Sequence, residues 1–267
     1  MVQHEDKVVY DQKDYLKNLQ PIEISKDREM MKDEHLTQDE QGEMKRRCGQ
    51  LNWLSTHTRP DISFDLAELS GRTGSLRVSD ITKMNKLINK VKSNDVYLTF
   101  PCLEDSNNLK IAVYADASLA NLPDGGSQAG YLVFLVDRCG RAALIDWKSH
   151  KIRRVVRSTL AAETLAMADA VDAAAFVAAT WKELVGPQWN NAAEVITDCR
   201  SLFENVNSTK LCNEKRLRID IAMLKQMQER DEIYLRWTES EHQLADVLTK
   251  KGVCGMNLSR VITSGHL

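Results

Sequence analysis

One glutamate of this 267-residue chain sits where an acid is costly. The stretch from Thr159 to Val185 is rich in Ala and Leu and stops at Gly186-Pro187, which predicts a long helix. Advancing 100° per residue from Glu163 places Leu160, Met167, Val171, Val177, Trp181 and Val185 within about 80° of it, and Asp169, Asp172, Thr180 and Glu183 on the far side. Glu163 therefore lies within the core-facing stripe, where a charge costs several kcal/mol unless it is paired or bound to a cation. Asp116 and Asp198 each end a predicted strand. A lone aspartate there is ordinarily a turn residue. If the two strands are parallel neighbours, however, both carboxylates leave the same carboxyl edge of a sheet, where α/β folds assemble their sites. Asp246, on the stretch Gln243–Leu248, is the fourth candidate. Converging carboxylates cannot all ionise without a cation. Oxygen ligands without a His/Cys cluster select Mg²⁺, with Mn²⁺ able to substitute. Two such ions about 4 Å apart form the usual clamp for in-line displacement at a phosphodiester.

A basic run comes next to these acids. Between Trp147 and Arg157 lie Lys148, Lys151, Arg153, Arg154 and Arg157 with no acid among them, and the Glu163 helix follows directly. Such a run is ordinarily a solvated loop. Here a phosphate backbone laid along it would reach the carboxylates, so these five residues and Ser158 are the candidate nucleic-acid contacts.

The elements that must position these groups follow from periodicity. Residues 109–116 alternate apolar and polar, predicting a strand, and turns at Asp124-Gly125-Gly126 and Asp137–Gly140 bracket two more, Gln128–Val136 and Arg141–Trp147. After the long helix come a strand at Ala193–Asp198, a helix at Glu214–Gln228, a strand at Glu232–Thr238 and a helix at Glu241–Lys250. The order βββαβαβα predicts an α/β fold with a five-stranded mixed sheet flanked by helices, in which a crossover allows the fourth strand to run parallel. Upstream, residues 41–93 show helical spacing, broken at Arg59-Pro60-Asp61, where a new helix starts. Residues 1–40 are polar and aperiodic, with one short extended piece at Ile22–Ile24. The expected organisation is a weakly structured lead-in (1–40), a helical connection (41–105), the α/β domain (106–253) and a C-terminal tail (254–267).

Composition narrows the classes. Lys and Arg number 36 against 38 Asp and Glu, but residues 1–45 carry 12 acids and 7 bases, so the basic excess lies downstream. No apolar run of about 18 residues occurs, which argues against a membrane span and a membrane partner. Met1–Tyr10 is charged and has no apolar stretch, so no secretion signal is expected and the location reads as intracellular, cytoplasmic or nuclear. The six cysteines are scattered without zinc spacing and read as reduced thiols.

Six motifs carry a family resemblance. Tyr114-Ala115-Asp116-Ala117, Ser127-Gln128-Ala129-Gly130-Tyr131, Trp147-Lys148-Ser149, Arg157-Ser158-Thr159-Leu160-Ala161-Ala162-Glu163, Thr197-Asp198 and Gln243-Leu244-Ala245-Asp246-Val247-Leu248-Thr249-Lys250 occur in the order seen in the ribonuclease H domain of copia-type retrotransposon Pol polyproteins, which the chain resembles. Gly49-Gln50-Leu51-Asn52-Trp53-Leu54 and Thr58-Arg59-Pro60-Asp61-Ile62 resemble the tail of the reverse transcriptase region that precedes it, so the likeness covers about residues 43–253. The resemblance implies the ribonuclease H fold, with the fourth strand beside the first. It also implies an Asp116, Glu163, Asp198, Asp246 set holding two Mg²⁺ ions, cleavage of the RNA strand of RNA–DNA hybrids, and the reverse transcriptase portion of Pol as a partner. RNA specificity would come from contacts to the 2′-OH. Two departures stand out. Arg218-Ile219-Asp220 lacks the His that the family often shows one residue before its Ile-Asp, and the mobile His of cellular ribonucleases H has no clear counterpart, His242 being the nearest and reading as a surface residue. No Tyr-x-Asp-Asp polymerase motif occurs and protease and integrase portions are missing, so the chain reads as a C-terminal piece of Pol or a degraded or domesticated copy. The competing expectation is a catalytically inactive nucleic-acid-binding remnant that uses only the basic run. An integrase-type transposase fits less well, because its metal set runs Asp-Asp-Glu.

Overall fold

A computed structural model describes residues 1–71, 75–104 and 106–267. The lead-in forms β1 (Val2–Gln3), β2 (Lys7–Tyr10) and two short helices, α1 (Lys13–Lys17) and α2 (Lys26–Met30). The helical segment follows as α3 (Gln38–His57), α4 (Ser63–Ser70) and α5 (Val78–Ser93), then β3 (Leu98–Pro101). Thr37 starts α3 with a capping box: its hydroxyl accepts from the Glu40 amide while the Glu40 carboxylate accepts from the Thr37 amide. Pro60 opens a 3₁₀ turn, Pro60–Ile62, that leads into α4. Here Arg59, almost fully buried, makes a two-pronged ion pair with Asp61 (2.8 and 2.9 Å) and donates to the Val91 carbonyl at 2.9 Å.

The lead-in is better packed than its polarity predicts. Leu19, Ile22 and Leu36 are buried in one apolar cluster with Met44, Leu51 and Leu54 of α3 and with Ile81, Met84 and Ile88 of α5. Strand β2 pairs antiparallel with β3, Val8 opposite Phe100, while Ile22–Ile24 is irregular. A few apolar anchors on a polar chain are enough when partners from elsewhere present the complementary face, and such non-local pairing leaves no local period.

The main sheet contains β4 (Lys110–Ser118), β5 (Gln128–Val136), β6 (Ala142–Lys151), β7 (Ala193–Thr197) and β8 (Ile233–Trp237), in spatial order β6-β5-β4-β7-β8. The first three pair antiparallel; β7 runs parallel to β4, and β8 parallel to β7. This is the mixed five-stranded arrangement of the ribonuclease H fold, with the fourth strand beside the first. Helix α6 (Thr159–Val185) covers one face, where Met167, Ala170, Val171 and Ala174 meet Ile111, Val113, Val133 and Leu135. Two further helices lie between the last strands, α7 (Arg200–Asn207) and α8 (Arg218–Glu229). Helix α7 has no counterpart in the expected order; its signal is the short Leu202, Phe203, Val206 spacing, whose side chains join the same core. Among the described residues, no helix is long and apolar enough to cross a membrane.

Four expectations shift. Strand β4 continues through Asp116 to Ser118, and β6 runs on to Lys151, so the first part of the basic run is strand rather than loop. The expected helix Glu241–Lys250 is instead two 3₁₀ turns, Ser240–His242 and Leu244–Leu248. Side chains compete with helical propagation there: Gln243 donates to the Ala115 carbonyl at 3.0 Å and accepts from the Ala245 amide at 3.2 Å. The expected tail contains α9 (Met256–Ser264), whose Leu258, Val261 and Ile262 cover the second face of the sheet beside Tyr114, Leu132, Phe134 and Leu144. The sequence pattern of α9 is amphipathic, but nine residues gave too short a run to be read as a helix.

Because Leu258 is 1% exposed in that second core, Leu258→Ala is expected to cost about 2–5 kcal/mol of unfolding free energy. Urea unfolding of the two proteins checks this, and a loss below about 0.5 kcal/mol would place α9 outside the core.

Candidate active site

The register of the parallel strands creates the site. Ala112 lies opposite Glu194, Val113 opposite Val195 and Tyr114 opposite Ile196. Two residues further along, Asp116 and Asp198 come level at the carboxyl edge, on strands about 4.8 Å apart. Alternation along β4 sends Ala115 and Ala117 toward α6 and leaves Asp116 on the opposite face, fully buried. Glu163 enters from the second turn of α6, 5% exposed, and accepts from the Ala117 amide. Ser240 donates to Asp198 Oδ2 at 2.6 Å, and the Trp237 indole donates to the Asp198 carbonyl at 3.0 Å.

Carboxylate oxygens of Asp116, Glu163 and Asp198 all lie within 4.8 Å of one another. Asp246 approaches from the second 3₁₀ turn and is joined to the trio by Lys250, whose Nζ donates to Asp246 Oδ1 at 2.6 Å and to Asp116 Oδ1 at 3.3 Å. Thr249 donates to the other Asp116 oxygen. That turn is seated by glycine as well as by hydrogen bonds. A Cβ on Gly130 of β5 would lie 2.5 Å from the Leu248 Cβ, so the turn closes on the sheet only because position 130 carries no side chain.

Electrostatics at the site are those of acids short of counter-charge. Burial pushes the Asp116 carboxyl up to about 7, against the pull of Lys250 and the Thr249 hydroxyl. Burial, with the Asp116 and Asp198 charges added, holds Glu163 well above the usual carboxylate range, and burial also raises Asp246. Burial works against the Lys250 ammonium, but Asp116 and Asp246 more than offset it and keep its pKa above the usual value. Among the described residues, one ammonium lies beside these four carboxylates and pairs with two of them, Asp116 and Asp246. A hard divalent cation fits what remains: an all-oxygen donor set, convergent and withdrawn from water.

The basic residues divide. Lys148 is exposed on β6, and Lys151, also on β6, is paired with Asp124. Arg153, Arg154 and Arg157 are exposed in the loop before α6, and Arg154 and Arg157 line a cleft of about 280 Å³ with Glu214, Arg216 and Asp220. Ser158 caps α6, accepting from the Ala161 amide at 3.1 Å and donating to Glu214 at 2.7 Å, so its hydroxyl is already engaged. His242 is exposed, 3.5 Å from Glu241. Sequence reasoning did not single out Gln243, Thr249 and Lys250 as site residues; all three stand in the motif that carries Asp246, at offsets of minus three, plus three and plus four.

The sequence is similar to two Arabidopsis thaliana proteins, the retrovirus-related Pol polyproteins from transposon RE2 (26% identical over 224 residues) and transposon RE1 (26% over 210 residues). The similarity takes in 80% and 76% of this chain but only 14% and 13% of those polyproteins. No protein-family model matches. Similar solved structures include an N-terminal ribonuclease H domain from Mycobacterium tuberculosis (TM-score 0.40, 15% identity, 57% of this chain and 96% of that one). Another is the foamy viral protease-reverse transcriptase in complex with an RNA/DNA hybrid (TM-score 0.48, 13% identity, 91% of this chain and 28% of that one).

The raised Asp116 carboxyl fixes a pH dependence. A carboxyl whose folded-state pKa is raised keeps a proton that the unfolded chain has released, so stability falls as pH climbs from its ordinary value of 3.8 to about 7. In EDTA, Asp116→Asn should gain melting temperature relative to the wild type as pH rises from about 5 to about 7, with the gap level above that. Melting curves across this range test it; a gap independent of pH contradicts it.

Proposed function

We propose that the chain is the ribonuclease H portion of a copia-type retrotransposon Pol, or a copy derived from one, and that it cleaves the RNA strand of RNA–DNA hybrids endonucleolytically. The observation that carries this reading is the trio of buried Asp116 and Glu163 with partly buried Asp198, brought within 4.8 Å from three separate elements of a ribonuclease H fold, in a chain similar to Pol polyproteins. Acids are not kept in such a place for stability, since burying them together is unfavourable.

Asp116, Glu163, Asp198 and Asp246 would hold two Mg²⁺ ions, or Mn²⁺ in their place, which when bound supply Lewis acidity on both sides of the scissile phosphorus. The reaction is hydrolysis: water adds to phosphorus, the bond to the 3′-oxygen breaks, and the 5′-phosphate stays on the product. No side chain has to act as nucleophile. Ser240 fixes the Asp198 carboxylate, and Thr249 fixes that of Asp116. The exposed Arg153, Arg154 and Arg157 are free to follow a phosphate backbone toward the helix that bears Glu163. From the Ser158 cap to Glu163 is five residues, about 7–8 Å of helix rise, close to one nucleotide step of a strand. The reverse transcriptase portion of Pol would help to hold the hybrid. The retained carboxylates speak against the binding-only alternative.

Purified chain with a labelled RNA–DNA hybrid and millimolar Mg²⁺ should yield internal RNA cuts. Asp198→Asn should lower the rate at least about 100-fold, the upper end of what an outer partner of a metal centre is worth. Hybrid left intact in both Mg²⁺ and Mn²⁺, with binding preserved, would favour the binding-only remnant. Independently, Arg153→Ala or Arg154→Ala should weaken hybrid binding alike for all sequences and reduce the slope of log affinity against log salt by about 1. An unchanged slope would remove that arginine from the interface.

A further inference from the structure

Lys250 is the feature of the site that the nuclease reading does not use. Its Nζ lies between Asp246 Oδ1 (2.6 Å) and Asp116 Oδ1 (3.3 Å), so a single ammonium spans the two carboxylates that come from opposite ends of the domain sequence. The backbone holds it there. Its amide donates to the Asp246 carbonyl at 2.9 Å, and the Thr249 amide donates to the same carbonyl at 3.1 Å. Thr249 and Lys250 together thus occupy both oxygens of Asp116. Glu163 and Asp198, in contrast, make no ion pair with Lys250 within 4 Å, and each has a carboxylate oxygen within 4.8 Å of one of Asp116. The Lys250 side chain is 35% exposed, so its long stem has a way out to solvent without unfolding the turn.

Resting on the reading of the carboxylates as a divalent-cation site, we propose that Lys250 is the built-in counter-cation of that site. It holds Asp116 and Asp246 together when no metal is present, and it has to let go of Asp116 before a second metal ion can bind. The two binding events are therefore unequal. A first cation would be held by Asp116, Glu163 and Asp198, with the Lys250–Asp246 pair intact. A second would need Asp246 and a share of Asp116, and would compete with an ammonium already in place. The Lys250 ammonium repels a divalent cation beside it and contacts the same Asp116 and Asp246 oxygens that the cation would need, so occupancy by one weakens occupancy by the other. Lys250 is on this account a positioning residue that sets how much divalent cation is needed to complete the site.

The test is Mn²⁺ binding to the full chain, followed by calorimetry and by electron paramagnetic resonance to count bound ions, without nucleic acid. Lys250→Met and Lys250→Gln should tighten the second, weaker Mn²⁺ event by about tenfold or more while changing the first little, and Lys250→Arg should keep the wild-type pattern. In EDTA the Met and Gln variants should melt below the wild type and the Arg variant, and saturating Mn²⁺ should close that gap. A neutral variant that folds only with Mn²⁺ present supports the proposal equally. Second-event affinities that are the same in wild type, Met and Gln variants would overturn it while leaving the metal reading intact, provided Asp198→Asn still abolishes the first event. Mn²⁺ binding that is absent from the wild type, or indifferent to Asp198→Asn, would overturn the metal reading and this proposal with it.

Discussion

The site depends on one backbone constraint, the parallel register of β4 and β7. Pairing Tyr114 with Ile196 makes Asp116 and Asp198 level, and shifting it by one residue would turn one of the two carboxylates to the other face of the sheet. That register is set by apolar packing on both faces: Val113 and Val195 under α6, and Tyr114 and Ile196 beneath α9 and its neighbours. The energy gained by burying those side chains is what holds the acids in a place they would not choose. Helix α6 then adds Glu163 at fixed height, because its Met167, Ala170 and Val171 are locked onto the same strands.

The fourth acid is controlled differently. Asp246 belongs to a turn rather than to a strand or long helix, and its position comes from the burial of Ala245, Val247 and Leu248 on the sheet, joined by polar ties and one missing side chain. Gln243 anchors the turn to the Ala115 carbonyl, Ser149 donates to the Leu248 carbonyl at 2.6 Å, and Gly130 allows the close approach. Three carboxylates are thus carried by strands and a long helix, and the fourth by a short turn that apolar burial and hydrogen bonds seat together on the sheet.

Much of this was legible in the residues. The strands at 128–136 and 193–197 and the whole of α6 follow from period and from the Gly186-Pro187 stop, and the helical wheel located Glu163 as a buried acid without any structure. What could not be read had a common cause, the dominance of long-range partners over local pattern. Lys7–Tyr10 is a strand because Leu98–Pro101 lies alongside it, and Leu19 and Ile22 are buried because α3 and α5 close over them. The turn at 244–248 carries a helix-like spacing, but Gln243 and Thr249 spend their side chains on β4 and pull it into tighter turns. The burial of Asp246 by a lysine four residues later looks in sequence like an ordinary helical ion pair; only the arrival of Asp116 from 134 residues away makes it part of the site.

The Trp147 indole donates to the Ser55 carbonyl at 2.8 Å, and Lys251 reaches Glu68 of α4 at 3.2 Å. These ties fasten the helices of the connection to the strand edge and to the residue that follows Lys250. The connection is consequently fastened to the edge of the sheet that bears the carboxylates. Under the proposed function, a partner that gripped α3 and α4 would thereby aim the carboxylates, and a nucleic acid held at a set distance by that grip would meet them at a set phase of its helical twist.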